Sequence, residues 1–247
     1  MPRAHNRIAL VTGAGSGIGR ATANLLVRDG WRVVFAGRRP EALRESIAMC
    51  EDPFDDIVQR AFAVPCDVTR PDSVAALFDF VRARCGRLDL LFNNAGVFTP
   101  EVPIEELTVE QWRAALDVNL TGAFLCTREA FRLMKAQQPR GGRIVNNGGL
   151  AAQVPRPNAV ATTASKHALA GLTRASALDG RAFGIAVGQI DLGDAATALG
   201  AALDDGTPQV DVDDAAAAVL HMANLPPAAN VLFMTLLPTA QPFVGRG

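Results

Sequence analysis

The residues of this chain that could do chemistry fall in a few short stretches. The first is "ALVTGAGSGIGRATA", which sets Thr12-Gly13-x-x-x-Gly17-x-Gly19 between an apolar run and a helical pattern. Gly13 permits a tight turn, Gly17 lets backbone approach a pyrophosphate, and Gly19 lets the helix pack closely on the strand. The helix that opens there turns unpaired N–H groups and a positive dipole end toward phosphate. The second stretch is "NAVATTASKHALAGLT", where Lys166 follows Thr162 by one helical turn, so an ammonium and a hydroxyl share a face. The third is "VVFAGRRPEAL". About 20 residues past such a glycine loop, a carboxylate usually holds the ribose 2′-hydroxyl of NAD. Here Gly37 takes that place and Arg38 and Arg39 follow. A guanidinium with no competing carboxylate suits a 2′-phosphate, so NADP(H) is favoured over NAD(H), with Arg38 the better placed of the two.

Other polar residues carry less. Asn119 sits mid-helix, where its side chain competes for backbone, which implies a duty of its own. Asp191 and Asp194, in "GQIDLGDAAT", follow the sixth apolar run. Either would serve as acid or base if desolvated, but turn or cap residues are the expectation. His5 and His221 read as surface or core residues, and His167, pointing about 100° around the helix from Lys166, as structural or at an interface. With three scattered His and no CxxC among Cys50, Cys66, Cys85 and Cys126, no metal is expected, and the thiols fit a reducing compartment.

These groups must be positioned by a regular scaffold. Strands are expected at Ile8–Thr12, Arg32–Ala36, Ala61–Val64, Leu88–Phe92, Arg143–Asn146, Ile185–Ile190 and Val231–Leu236. They are continuously apolar rather than alternating, as strands buried on both faces are. Helices are expected at Gly19–Asp29, Glu41–Cys50, Asp72–Arg84, Val109–Ala136 and Ala159–Asp179. The alternation predicts an α/β fold, a single Rossmann-type doubly wound domain over 1–247, with a parallel sheet and helices on both faces. The segment 192–213, rich in Ala, Gly and Asp, is the candidate substrate loop, and with Val97, Phe98 and Val154 would line a mostly apolar cleft. Net charge is −1 and no apolar run is long enough for a membrane helix, so neither nucleic acid nor membrane is an expected partner. The short polar N-terminus has no signal-peptide core, so a cytoplasmic location is expected.

Taken together, "TGAGSGIG", "CDVT", "LLFNNAG" and "LDVNLTGAF" resemble the short-chain dehydrogenase/reductase superfamily over nearly the whole chain. The resemblance implies seven parallel strands, a small-molecule substrate, and dimers or tetramers packed through Val109–Ala136 and Ala159–Asp179. It also implies coenzyme contacts from Ser16 and Ile18 in the glycine loop, Asp67 and Val68 after the third strand, and Asn94, Ala95 and Gly96 in the NNAG element. Asp67 also reads as a cap before the following helix, and Asn93 and Asn94 as strand-end caps. In that family a Ser, a Tyr and a Lys act on the substrate, and a helix Asn holds water and the Lys. Lys166 matches the Lys and Asn119 the Asn. The Tyr position falls on Thr162, and the Ser position, thirteen residues earlier, on Gly149. The chain contains no Tyr at all.

The consequence is large, because a phenol can be tuned into a working acid and a Thr hydroxyl cannot. Losing a positioned acid costs about 10²–10⁴ in rate, and losing one oxyanion donor about 10²–10³. The expectation is therefore an NADP(H)-dependent oxidoreductase with an altered proton-donor site, impaired in ordinary carbonyl reduction. Enones and iminium ions, which need little acid help, remain open to it. The alternatives are a catalytically silent NADP(H)-binding protein, acting as sensor or partner subunit, or an engineered inactive variant.

Overall fold

A computed structural model describes residues 7–51, 56–193 and 208–241. Seven strands form one sheet in the order β3-β2-β1-β4-β5-β6-β7, every neighbouring pair parallel. They are β1 (Ile8–Thr12), β2 (Arg32–Gly37), β3 (Ala61–Pro65), β4 (Leu90–Asn93), β5 (Gly142–Asn147), β6 (Ile185–Leu192) and β7 (Phe233–Leu236). The strand order reverses at β1 and β4, and the chain leaves the carboxyl ends of these strands on either side of a crevice. That crevice is where an open parallel sheet binds ligands.

Side chains of β1, β2 and β4 alternate between two cores, one on each face. Leu10, Val34 and Leu91 pack with Phe78 and Val81 of α4 (Pro71–Cys85) and Leu133 of α6 (Ala123–Ala136). Val11, Phe35 and Phe92 pack with Leu26 of α1 (Gly17–Arg28), Leu43 of α2 (Pro40–Ala48) and Val219 of α8 (Val212–Asn224). Burial on both faces is why these strands carry unbroken apolar runs.

The expected helix over Val109–Ala136 is not uniform. It comprises α5 (Val109–Leu116), a π-helical segment at Asp117–Gly122, and α6. A capping box between Thr108 and Gln111 starts α5. The π segment carries Asn119, and such segments free backbone groups from the helical ladder. A one-turn helix α3 (Ile57–Arg60) and the helix α8 add to those expected; α7 runs Val160–Gly180. The fourth strand begins at Leu90 rather than Leu88, because Leu88 is bound front and back by Gln137: its N–H donates to Oε1 (2.8 Å) and its carbonyl accepts from Nε2 (2.9 Å). His5, Asp194 and most of the expected substrate loop lie outside the described residues. Among those described, no helix is long and apolar enough to cross a membrane, and no three potential metal ligands cluster.

Candidate functional site

Two groups of residues face each other at the carboxyl end of the sheet. The nucleotide side is built mostly from backbone. Gly13 adopts φ +68° and Gly17 φ +50°, conformations open to glycine and unfavourable for side-chain-bearing residues. At Gly19 a Cβ would collide with the Gly13 carbonyl and the Asn94 side chain, so only glycine lets α1 come this close. Ser16 precedes α1 without a side-chain cap, and the first turn holds no acidic residue. The helix thus presents its positive end to the crevice with nothing of its own in the way.

Thr12 and Asn94 lock this loop to the end of β4. Thr12 Oγ1 accepts from the backbone N–H of Asn94 and of Ala95, both at 3.0 Å, and donates to Phe92 O at 3.3 Å. Asn94 Nδ2 donates to Thr12 O at 3.0 Å and Gly13 O at 3.4 Å. Arg20 braces the loop from below, donating to Gly15 O at 2.7 Å and Ser46 Oγ at 2.9 Å. Arg38 and Arg39 stand exposed at the end of β2, and neither is in an ion pair among the described residues. The next side chain below them is Leu43, 3.3 Å from where a Gly37 Cβ would stand. Asp67 is not a helix cap. Its Oδ1 accepts from Thr69 N (3.0 Å) and Thr69 Oγ1 (2.8 Å), closing an Asx turn, and α4 begins after Arg70. Val68 is buried against Gly122, where any Cβ would meet it. The loops thus leave a cradle of glycine backbone and a helix terminus, which fits a dinucleotide pyrophosphate.

The reaction side is built from side chains, and several differ from expectation. Lys166 donates from Nζ to Asn147 O at 2.8 Å. Burial pushes its pKa down to about 8, against the opposing pull of Asp191. Asn119 does not hold Lys166 through its side chain. Its Oδ1 accepts from Val97 N (2.8 Å) and its Nδ2 donates to Val97 O (3.0 Å) and Ser165 Oγ (3.2 Å). It therefore pins the strand-end loop that carries Gly96 against α7. Asn93 bridges to Asn146 Oδ1 (2.9 Å) and Thr127 Oγ1 (3.1 Å) from within the core, and is no simple cap. Thr162 is buried one turn before Lys166, its hydroxyl making no hydrogen bond among the described residues. Gly149 lies at φ +101°, with only the Leu192 carbonyl near the place a Cβ would occupy, at 3.8 Å. His167 is exposed, Nδ1 lying 3.0 Å from Thr163 O.

Asp191 overturns the expectation of a turn or cap residue. It lies within β6 and is 1% exposed. Gln189 Nε2 donates to its Oδ1 (2.7 Å) and Gln153 Nε2 to its Oδ2 (2.6 Å). The Oδ1 atom stands where a side chain on Gly148 would have to be, so Asp191 and a bare glycine at 148 require each other. Sequence reasoning did not pick out Asn147, Ser165, Gln153 or Gln189. The signal for two of them was there: the doublet Asn146-Asn147 and the lone Gln189 are polar residues in strands that are otherwise apolar.

Beside the first turn of α7 a groove of about 340 Å³ opens between Val102, Ile104, Pro155 and Val160. Phe98 and Val154 are exposed nearby in sequence, at 63% and 45%.

With sheet order, glycine cradle and lysine in place, the chain belongs to the short-chain dehydrogenase/reductase family, whose short chain dehydrogenase domain matches residues 7–207. It is 41% identical over 72% of its length to the 3beta-hydroxysteroid dehydrogenase of Mediterraneibacter gnavus, spanning 62% of that protein. It is also 41% identical to the cis-4-hydroxycyclohexanecarboxylate dehydrogenase of Sinomonas cyclohexanicum, covering 80% of this chain and 76% of the relative. Among solved structures, a metagenomic short-chain oxidoreductase in complex with NADP superposes with a TM-score of 0.80 at 31% identity, covering 96% of this chain and 98% of that one. The 3-ketoacyl-(acyl-carrier-protein) reductase of Brucella melitensis, complexed with NADH, gives 0.86 at 25% identity, covering 94% and 97%.

Proposed function

We propose that this protein is an NADP(H)-dependent oxidoreductase acting on a small, largely apolar, cyclic substrate without a phenolic proton donor. The observation that carries the reading is the intact cradle: Gly13, Gly17 and Gly19 in glycine-only geometry, tied through Thr12 and Asn94 to Asn147, whose carbonyl holds the Lys166 ammonium. A phosphate would sit on the α1 terminus, Lys166 would reach the nicotinamide ribose, and Arg38 would pair with a 2′-phosphate. The bound coenzyme supplies the hydride; the chain supplies position and charge. Relatives at 41% identity named for a hydroxysteroid and a hydroxycyclohexanecarboxylate support a cyclic substrate. Two relatives with coenzymes of either kind leave Arg38 as the support for NADP(H) over NAD(H). Exposed Phe124 on α6 and Leu178 on α7 leave apolar surface for a second copy, which supports a homodimer or homotetramer.

At the reacting carbon, Thr162 is too short to replace a phenol and Gly149 offers no side-chain donor. Lys166 Nζ, held on the Asn147 carbonyl, is the cation this reading uses there. Ordinary ketone reduction is then slow, and a substrate that needs no proton in the hydride step is favoured. The test is coenzyme consumption with a matched panel: cyclohexanone, cyclohexenone and a cyclic imine, each with NADPH and NADH. Consumption with the enone or imine, faster with NADPH, is expected. Consumption with none of the three while NADPH binds would reduce the protein to a coenzyme-binding role.

A further inference from the structure

The groove beside the first turn of α7 has apolar walls and a charge at one place. Val102 and Ile104 stand on the loop after β4, Pro155 and Val160 on the other side. Its volume of about 340 Å³ falls in the range of small-molecule sites, roughly 300–1,000 Å³. Three segments bound it, and each also bounds the reaction side. The loop of Val102 and Ile104 passes through Gly96, where a Cβ would stand 3.9 Å from Lys166 Nζ. The loop of Pro155 leaves β5 through Gly149. Thr163 precedes Lys166 on α7 by three residues, less than one turn. A ligand in the groove therefore has one end toward Lys166 and the other toward the loop 155–158.

Arg156 is exposed and is the only charged residue among those described that line the groove. Glu101, Glu105 and Glu106, on the facing loop, are exposed but form no part of the lining. A guanidinium has five N–H donors, enough to serve a ligand carboxylate beside another contact. The helix adds to the same field. Ala159 and Val160 line the groove, and α7 has neither a side-chain cap at Ala159 nor an acidic residue in its first turn. The positive end of a 21-residue helix thus opens there with no carboxylate of its own upon it. Thr163 lines the groove too, and its Oγ1 is buried without a partner among the described residues. A buried unpaired hydroxyl is costly, and an occupant that brings an acceptor relieves it. Guanidinium, helix end and hydroxyl all suit an anionic acceptor, and Lys166 at the inner end carries the sign that attracts one.

We propose that the groove is a carboxylate-recognition site and that the substrate is an alicyclic acid. Its ring lies on Val102, Ile104, Pro155 and Val160, its carboxylate on Arg156, and its reacting carbon toward Lys166. Arg156 is then the specificity-determining residue. This rests on the coenzyme reading above for the chemistry at the inner end.

Binding tests it without turnover. The protein is saturated with oxidised NADP(H), so that the cradle is closed to other anions. It is then titrated calorimetrically at pH 7 with cyclohexanecarboxylate, which is ionised, and with the neutral cyclohexanecarboxamide. The acid is expected to bind about tenfold tighter than the amide, and equal affinities overturn the proposal. Arg156→Ala is expected to weaken the acid about tenfold while leaving the amide and the coenzyme unchanged; an unchanged acid affinity overturns it. Arg156→Lys, which keeps the charge and loses the fork, is expected to fall between the two. Ile104→Asp sets a carboxylate in the groove at a position that is 70% exposed, and is expected to abolish the preference for the acid. A preference that survives it places the acid elsewhere and overturns the proposal. If neither coenzyme is taken up, the coenzyme reading has failed, and the same titrations of the coenzyme-free protein decide the groove, with Arg156→Ala separating it from the cradle. If coenzyme binds and acid and amide bind alike, only the carboxylate assignment has failed.

Discussion

The nucleotide side and the reaction side of the crevice share the carboxyl edge of one sheet, yet they are specified in different ways. On the nucleotide side the requirements are geometric. Gly13 needs positive φ, Gly19 needs the absence of a Cβ, and Thr12 and Asn94 satisfy backbone groups of one another's loops. On the reaction side the requirements are chemical, and the proposed reading rests on which residues stand at 148, 149, 162 and 191, two of them glycines. A cradle that works through backbone tolerates little change and keeps its form. A site that works through side chains can change its polarity while the scaffold stays as it was.

The contrast is most sharply broken by returning the phenol. Thr162→Tyr places an acid one turn from Lys166, and turnover of cyclohexanone is expected to rise by about 10²–10⁴. A rise of less than tenfold would mean that the missing phenol does not limit the reaction. Adding Gly149→Ser contributes less than the hydroxyl would suggest, because φ of +101° at that position strains any residue with a Cβ.

Next in size is the coupling between Gly148 and Asp191. Gly148→Ala forces a methyl into the carboxylate, with an expected cost of about 1–3 kcal/mol in urea unfolding. Most of that cost should vanish when Asp191→Ala is the background, a non-additivity of about 1 kcal/mol or more. Additive effects would show that the two positions are independent. On the nucleotide side, Arg38→Ala is expected to cost about tenfold in NADPH affinity and leave NADH unaffected, measured by fluorescence titration. Equal losses for both coenzymes would assign Arg38 to the fold rather than to the 2′-phosphate.

The smallest effect is in pH. With its pKa lowered to about 8 from 10.5, Lys166 is cationic below that value and neutral above it in the coenzyme-free protein. Coenzyme affinity should therefore fall a few-fold as pH rises through about 8, a trend absent in Lys166→Met. The sign for stability is the opposite. Between about 8 and 10.5 the unfolded chain binds the proton more tightly, so the penalty of burying this ammonium is relieved as pH rises.

The fold was legible because strands buried on both faces write themselves as apolar runs, and all seven fall where those runs lie. The helix 109–136 was legible as helix but not in its π segment, since nothing in the run "LDVNLTG" separates one helical hydrogen-bond pattern from another. The glycines of the cradle were legible because only one residue type meets their geometry. Asp191 was not, because "QIDLGD" looks like the start of a turn, and its burial depends on Gln153 arriving from 38 residues earlier in the chain. Asn147 and Ser165 were missed for the same reason: their partners, Asn94 and Asn119, are distant in sequence, at separations of 53 and 46 residues.

The account turns on whether the cradle still holds its coenzyme, and calorimetric titration with NADPH and NADH reads that directly. Uptake of one equivalent per chain is expected, with NADPH about tenfold tighter than NADH. Absence of uptake of either would contradict it.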